Sequence, residues 1–207
     1  MTWKFDKTVA SNFVSHARGH IPNYDLVIDK SIDVCNTKSK DSKIVDVGCA
    51  SGETLQRLYA NGFTNLHGID SSQDMLAVCP PNIATYYYSD SLVAGPYDII
   101  IMNWVLHFIK EKEPYLVNIY KNLNPGGIFI LSDKVSTENF ATKFYYDYKR
   151  SKGVSDSEIL AKEKSLAGVM NINSLSWYLD KLKAIGFNSV YLMDASWCFA
   201  SVVCLKE

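Results

Sequence analysis

KIVDVGCASGET, residues 43–54, decides the fold. Apolar residues alternate through Val47 into a glycine-bearing turn, the helix-patterned TLQRLYANG follows, and about one strand-helix-strand repeat later LHGID ends on Asp70. A strand, a glycine turn, a helix and a second strand closing on an acid is how a doubly wound sheet holds an adenosine-bearing ligand in the crevice at its strand ends.

Outward from this unit, short apolar runs alternate with helix-length patterns: SQDMLAVC, ATYYY, YDIIIMN, PYLVNIYKNL and GGIFILSD. Strands separated by helices imply right-handed crossovers and a largely parallel sheet. Asn124-Pro125-Gly126-Gly127 reads as a turn between helix and strand, with glycine supplying positive φ where the helix ends. Near the C-terminus, strands over 189–193 and 198–205, joined by Asp194 to Trp197, add an antiparallel strand. The expectation is an α/β, Rossmann-like, doubly wound sheet of seven strands.

Upstream, residues 1–40 place Val9 and Phe13, then Ile28, Ile32 and Cys35, at helical spacing, broken around Pro22. Proline disfavours helical backbone in the residue before it, so a two-helix cap is expected. Residues 136–183 are helical in pattern and long for a crossover, which marks a functional insertion before the last two strands. At 207 residues the chain has room for one domain, residues 1–207, with a substantial core.

Composition narrows the class. With 47% hydrophobic and 21% charged residues, and no long apolar run or cleavable leader, a cytoplasmic protein without membrane contact is expected. A net charge of −1 argues against direct nucleic acid binding, which normally brings a basic surplus. Cys35, Cys49, Cys79, Cys198 and Cys204 form no CxxC pair, so neither a metal site nor a disulfide framework is expected.

The glycine spacing selects among nucleotide ligands. GxxxxGK followed by Ser or Thr is absent, and GCASG lacks the GxGxxG that brings backbone against a pyrophosphate. The turn residues Gly48, Cys49, Ala50 and Gly52 suit a ligand without phosphates. Asp46 would face an amino group, and Asp70 would accept from both ribose hydroxyls, each charge-assisted bond being worth roughly 1.5–3 kcal/mol. Asp90, after the third strand, would receive the adenine amino group, and Asn103, after the fourth, would line the reacting end. Taken singly, a DxGxxxG turn occurs in many α/β proteins, and Asp70, Ser71 or Ser72 could merely cap a helix. Taken in order, the acids after three successive strands point to S-adenosyl-L-methionine.

Transfer from a sulfonium needs mainly positioning of the acceptor, and a base is optional. His107, one helical turn beyond Asn103, is the candidate base; the alternative is a histidine packed beside Trp104 and Phe108. Tyr145, Tyr146 and Tyr148 are either a pocket wall or core and dimer contacts. Lys149, Arg150 and Lys152 are either an anion contact or a solvated face.

With these residues in view, the chain resembles class I S-adenosyl-L-methionine-dependent methyltransferases, and within them the carboxy-S-adenosyl-L-methionine synthase family associated with tRNA wobble-uridine modification. WKFDKTVASNF, IPNY, VDVGCASG, GIDSSQDML, IIMNWVLHFI, NLNPGGIFILSDK, DYKRSKGVSDSEI and CFASVVCLK carry the likeness over nearly the whole chain. It implies cofactor contacts from Tyr24, Gly48, Asp70, Ser71, Asp90, Ser91 and Asn103, and a homodimer. One position departs: the family's arginine for the extra carboxylate of the carboxylated cofactor falls, in the ungapped register of EILAKEKSLAGVM, on Glu163. An acid there would repel a carboxylate, and Lys164, one residue on, is rotated away. The expected function is methyl transfer from S-adenosyl-L-methionine to a small molecule. The alternatives are a carboxy-S-adenosyl-L-methionine synthase using prephenate, and a non-catalytic S-adenosyl-L-methionine-binding subunit.

Overall fold

The computed structural model describes residues 7–87 and 95–207. Its sheet is built from β1 (Ile44–Val47), β2 (Leu66–Asp70), β3 (Ala84–Tyr87), β4 (Tyr97–Asn103), β5 (Leu123–Lys134), β6 (Ser189–Ser196) and β7 (Phe199–Leu205). They lie in the order β3-β2-β1-β4-β5-β7-β6. The first five pair in parallel, and β7 runs antiparallel to both β5 and β6. This is the expected seven-stranded doubly wound sheet.

Central strands are apolar on both faces because both are covered. In β4, Ile99 and Ile101 point to one side and Ile100 and Met102 to the other, following the two-residue strand period, and all four are fully buried. The first face packs on α3 (Tyr24–Cys35) and α4 (Glu53–Ala60) through Ile28, Ile32, Leu55 and Leu58. The second packs on α6 (Lys112–Lys121) and α9 (Leu175–Ile185) through Leu116, Ile119, Tyr178 and Leu182. Truncating any of these leucines or isoleucines to Ala would cost about 2–5 kcal/mol.

The cap consists of α1 (Lys7–Ala10), α2 (Phe13–His20) and α3, with the break at Ile21-Pro22-Asn23. The helical segment before the last strands divides in two. Here α7 (Asn139–Ser151) and α8 (Asp156–Leu166) are the insertion, whereas α9 lies on the sheet as an ordinary crossover helix. Ser155 and Glu158 form a reciprocal capping box that starts α8.

Two local expectations are corrected. Asn124–Gly127 is not where the helix ends: α6 is already closed at Asn122, at φ −88°. Leu123 pairs with Tyr97 and Ile128 with Ile99, so the four residues bulge opposite Asp98, with Gly126 at φ 71° and the Asn124 amide donating to Asp98 at 2.8 Å. Likewise Asp194–Ser196 is not a loop but continues β6 past a register shift, leaving Trp197-Cys198 as the turn. Asp194 there accepts from Lys30 at 2.8 Å, an ion pair that ties β6 to α3. No helix among the described residues is long and apolar enough to cross a membrane.

Candidate functional site

A cavity of about 1030 Å³ lies over the carboxyl ends of β1, β2 and β4, roofed by α2, α7 and α8. Its volume is at the upper limit of the roughly 300–1,000 Å³ common for small-ligand sites, which leaves room for a nucleoside and a second molecule. Tyr24, Asp46, Gly48, Cys49, Ala50, Asp70, Ser71, Asn103 and His107 all line it. Gly52 does not: at φ 82° it starts α4 behind the wall, where a Cβ would press on Pro80 and Cys79. Asp90 and Ser91 lie outside the described residues.

The turn after β1 is built from backbone. Gly48 and Cys49 N–H groups donate to the Ile69 carbonyl at 2.7 and 3.0 Å, and Gly48 adopts φ 73°, where a Cβ would collide with Val105. Asp70 then joins the turn to the next segment, accepting from Ala50 N–H at 2.9 Å and Ser72 N–H at 2.8 Å. The cap of α5 (Gln73–Leu76) is Ser72, whose hydroxyl accepts from Met75 N–H, so Asp70 is not itself the cap. Burial raises the Asp70 pKa, while backbone donors from Ser72, Ala50 and Ser71 pull it down. Asp46, 3% exposed, is held well above the ordinary carboxylate range by burial, then by Asp70 and Cys79. Two acids at one crevice fit a positively charged ligand.

Asn103 gives a more direct sign. It is buried at the end of β4, and neither its amide nitrogen nor its oxygen has a hydrogen-bond partner. An orphaned buried amide costs about 1–3 kcal/mol per group and is retained where a ligand completes it. Tyr24 stacks on Trp104 with ring centroids 4.8 Å apart, and Trp104 stands at φ 60°. That ring pair makes an aromatic floor beside the amide. The donor, acceptor and apolar surfaces thus fit S-adenosyl-L-methionine.

His107 sits on a short 3-10 turn, Leu106–Phe108, not one turn up a helix from Asn103. Its Nδ1 is hydrogen-bonded to Asp133 Oδ1, and the other oxygen, Oδ2, accepts from Tyr178 O–H at 2.6 Å. Asp133 is 1% exposed, so the bond fixes the imidazole while the ring faces the cavity. The histidine also packs on Phe108, at 4.3 Å.

The three tyrosines separate. Tyr145 lines the cavity and donates to the His20 carbonyl at 2.9 Å; Tyr148 ties α7 to the cap through the Arg18 and Ile21 carbonyls; Tyr146 bonds Glu163. The basic run separates too. Lys149 is buried and faces the cavity, while Arg150 pairs with Asp147 and Asp156 at the surface. Sequence reasoning missed Trp104, Asp133, Tyr178, Lys134 and Lys162. An acid at the end of the fifth strand was the available signal for Asp133; the others had none, since their partners lie far along the chain. Among the described residues no cluster could hold a metal ion, and the cysteines are free.

Comparison with known proteins identifies the family and the fold. Residues 22–188 match a family model described as a methyltransferase domain. A carboxy-S-adenosyl-L-methionine synthase of Shewanella sediminis is 30% identical, covering 99% of this chain and 93% of that protein. Among solved structures, a Thermotoga maritima S-adenosyl-L-methionine-dependent methyltransferase, described as a possible histamine N-methyltransferase, superimposes with a TM-score of 0.67 at 13% identity, covering 99% of each chain. The magnesium protoporphyrin IX methyltransferase of Synechocystis, solved with bound S-adenosylhomocysteine, gives 0.66 at 13% identity over 91% of this chain and 86% of that one.

Proposed function

The chain belongs to the methyltransferase-domain family, a class I S-adenosyl-L-methionine-dependent enzyme, and from that premise we propose that it transfers a methyl group to a small molecule held in the same cavity. The observation that carries this reading is the continuity of that space: the Asp46–Asp70–Asn103 crevice opens directly onto His107 and the α7–α8 wall. When bound, S-adenosyl-L-methionine supplies a methyl group already activated on a sulfonium. Asp70 would hold the ribose hydroxyls, Asp46 the amino group, and Tyr24, Ser71, Asn103 and the Gly48–Ala50 turn the remainder. His107, oriented by Asp133, would take the acceptor's proton at Nε2, and the helical roof excludes water from the transfer.

A second reading, carboxy-S-adenosyl-L-methionine synthesis with prephenate, is favoured by the name of the full-length relatives. Mass spectrometry of the ligand that copurifies separates them: a carboxylated cofactor overturns methyl transfer, and S-adenosyl-L-methionine or its homocysteine product alone counts against the synthase. Methyl transfer to a small molecule from a metabolite extract is the positive test. The reading carries a single-domain, cytoplasmic homodimer with it, supported by apolar residues left at the surface such as Phe140, 74% exposed, and light scattering checks the dimer.

A further inference from the structure

We propose that Cys49 and Cys79 form an oxidisable dithiol at the cofactor turn, a modification site that a peroxide converts into a disulfide, with release of the cofactor as the consequence. The disulfide stands on its own observations; its effect on S-adenosyl-L-methionine rests on the reading that the Gly48–Ala50 turn holds that ligand.

The two thiols come from different segments. Cys49 follows β1, lines the cavity and is 5% exposed, whereas Cys79 follows α5 behind that wall, and of the five cysteines it alone is not buried. Their sulfurs meet at one backbone carbonyl: the Cys79 thiol donates to Ala50 O at 3.1 Å, and Cys49 Sγ lies 3.9 Å from the same atom. The Cys49 thiol is also hydrogen-bonded to the Cys79 sulfur. Sulfurs at that separation need only close to about 2.05 Å to form a bond.

The pair divides into two roles. The bond from Cys49 lowers the Cys79 pKa from the ordinary thiol value, against burial and Asp70, while the same bond, then burial, Asp46, Cys79 and Asp70 raise that of Cys49. An accessible sulfur that ionises more readily, next to a protonated one, matches an attacking and a resolving thiol. The Cys79 thiolate attacks hydrogen peroxide, the O–O bond breaks, and a sulfenic acid forms while the hydroxide takes up the thiol's proton as water. The Cys49 sulfur then attacks the Cys79 sulfur, and its proton leaves with the sulfenic hydroxyl as a second water. Two thiols and one peroxide thus give one disulfide and two waters, with two electrons passing from sulfur to oxygen.

Ala50 connects this chemistry to the cofactor. Its N–H donates to Asp70 at 2.9 Å, its carbonyl accepts from Cys79, and it stands at φ 47°, a left-handed backbone that residues other than glycine rarely adopt. The disulfide removes the Cys79 donor from that carbonyl and draws the two sulfurs together beside it, so the turn shifts and the Asp70 contact with it.

The test exposes the reduced full chain to equimolar hydrogen peroxide and follows intact mass, a non-reducing peptide map and calorimetric titration with S-adenosylhomocysteine. The mass should fall by two hydrogens, the map should contain a Cys49–Cys79 crosslink, and dithiothreitol should reverse both. S-adenosylhomocysteine should bind about 10-fold or more weaker to the oxidised chain, the effect of losing a hydrogen bond to a charged group, and regain its affinity on reduction. Cys49→Ser should leave Cys79 as a sulfenic acid that dimedone traps. Cys79→Ser should form no crosslink and keep its own S-adenosylhomocysteine affinity within about 2-fold when peroxide is added; it carries the test alone where Cys49→Ser does not fold. No crosslink, or one to Cys35, Cys198 or Cys204 instead, would overturn the dithiol, and an oxidised chain that binds as tightly as the reduced one would overturn the release. Failure of the reduced chain to bind S-adenosylhomocysteine would overturn the cofactor reading instead, and the peptide map would still decide the disulfide.

Discussion

Replacing Asp70 by Ala separates what this carboxylate does for the fold from what it does for the ligand. In the folded chain it accepts backbone N–H bonds from Ala50 at 2.9 Å and Ser72 at 2.8 Å, with Ser71 a further backbone donor. Leaving the Ala50 and Ser72 donors unpaired would cost about 2–6 kcal/mol at about 1–3 each. Two effects reduce that figure: burial raises the pKa of Asp70, so its removal relieves a desolvation cost, and the site is partly exposed, so water reaches the freed N–H groups. The expected stability loss is about 1–3 kcal/mol, read as a lower urea midpoint at constant m-value. The ligand loses more. Two ribose bonds at about 1.5–3 kcal/mol each correspond to a roughly 10²- to 10⁴-fold weaker Kd for S-adenosyl-L-methionine by calorimetry. Asp70→Asn keeps the shape and one acceptor, so it should fall between Ala and wild type in both assays. A folded Asp70→Ala protein that binds S-adenosyl-L-methionine within 3-fold of wild type would refute the ribose assignment.

Asp46 carries a pKa above the ordinary 3.8 in the folded chain, so its burial cost is fully present above that folded value and is relieved as pH falls through it. A cationic ligand favours the carboxylate, so S-adenosyl-L-methionine binding should weaken as pH is lowered into that range and should release protons, seen as a buffer-dependent binding enthalpy. Asp133→Asn should lower kcat by about 10²-fold or more and shift its pH profile while leaving S-adenosyl-L-methionine affinity unchanged, with Tyr178→Phe milder. Gly48→Ala combines a positive φ with a collision against Val105, and should destabilise by about 1–3 kcal/mol in urea melts and reduce S-adenosyl-L-methionine binding.

The sheet was legible because its signals are local. Ile99 through Met102 alternate between two covered faces, so their apolar run announces a central strand by itself. The NPGG stretch misled because the same residues that end helices also form bulges, and only pairing with β4 decides which. Asp194–Ser196 misled for a related reason: polar residues suit a loop, yet an edge strand tolerates them, and the Lys30–Asp194 ion pair from α3 holds them there. The strand-end residues Asp46, Asp70 and Asn103 were found from order along the chain, since parallel crossovers deliver every strand end to one side.

Glu163 shows where position-by-position reasoning stops. Judged alone, an acid in place of an arginine inverts the charge of the wall, and Lys164 is indeed directed away, exposed on α8. Yet Lys162, on the other side of Glu163, lines the cavity, and Lys149 and Lys134 join it from elements 13 or more residues away. The Tyr146 hydroxyl donates to Glu163, spreading its charge. The potential in a cleft is a sum over all the groups that face it, and Asp46, Glu53, Asp70, Glu111 and Glu163 face this one together with Lys110, Lys134, Lys149 and Lys162. The charge at Glu163 is therefore one of several that a ligand in the cavity meets.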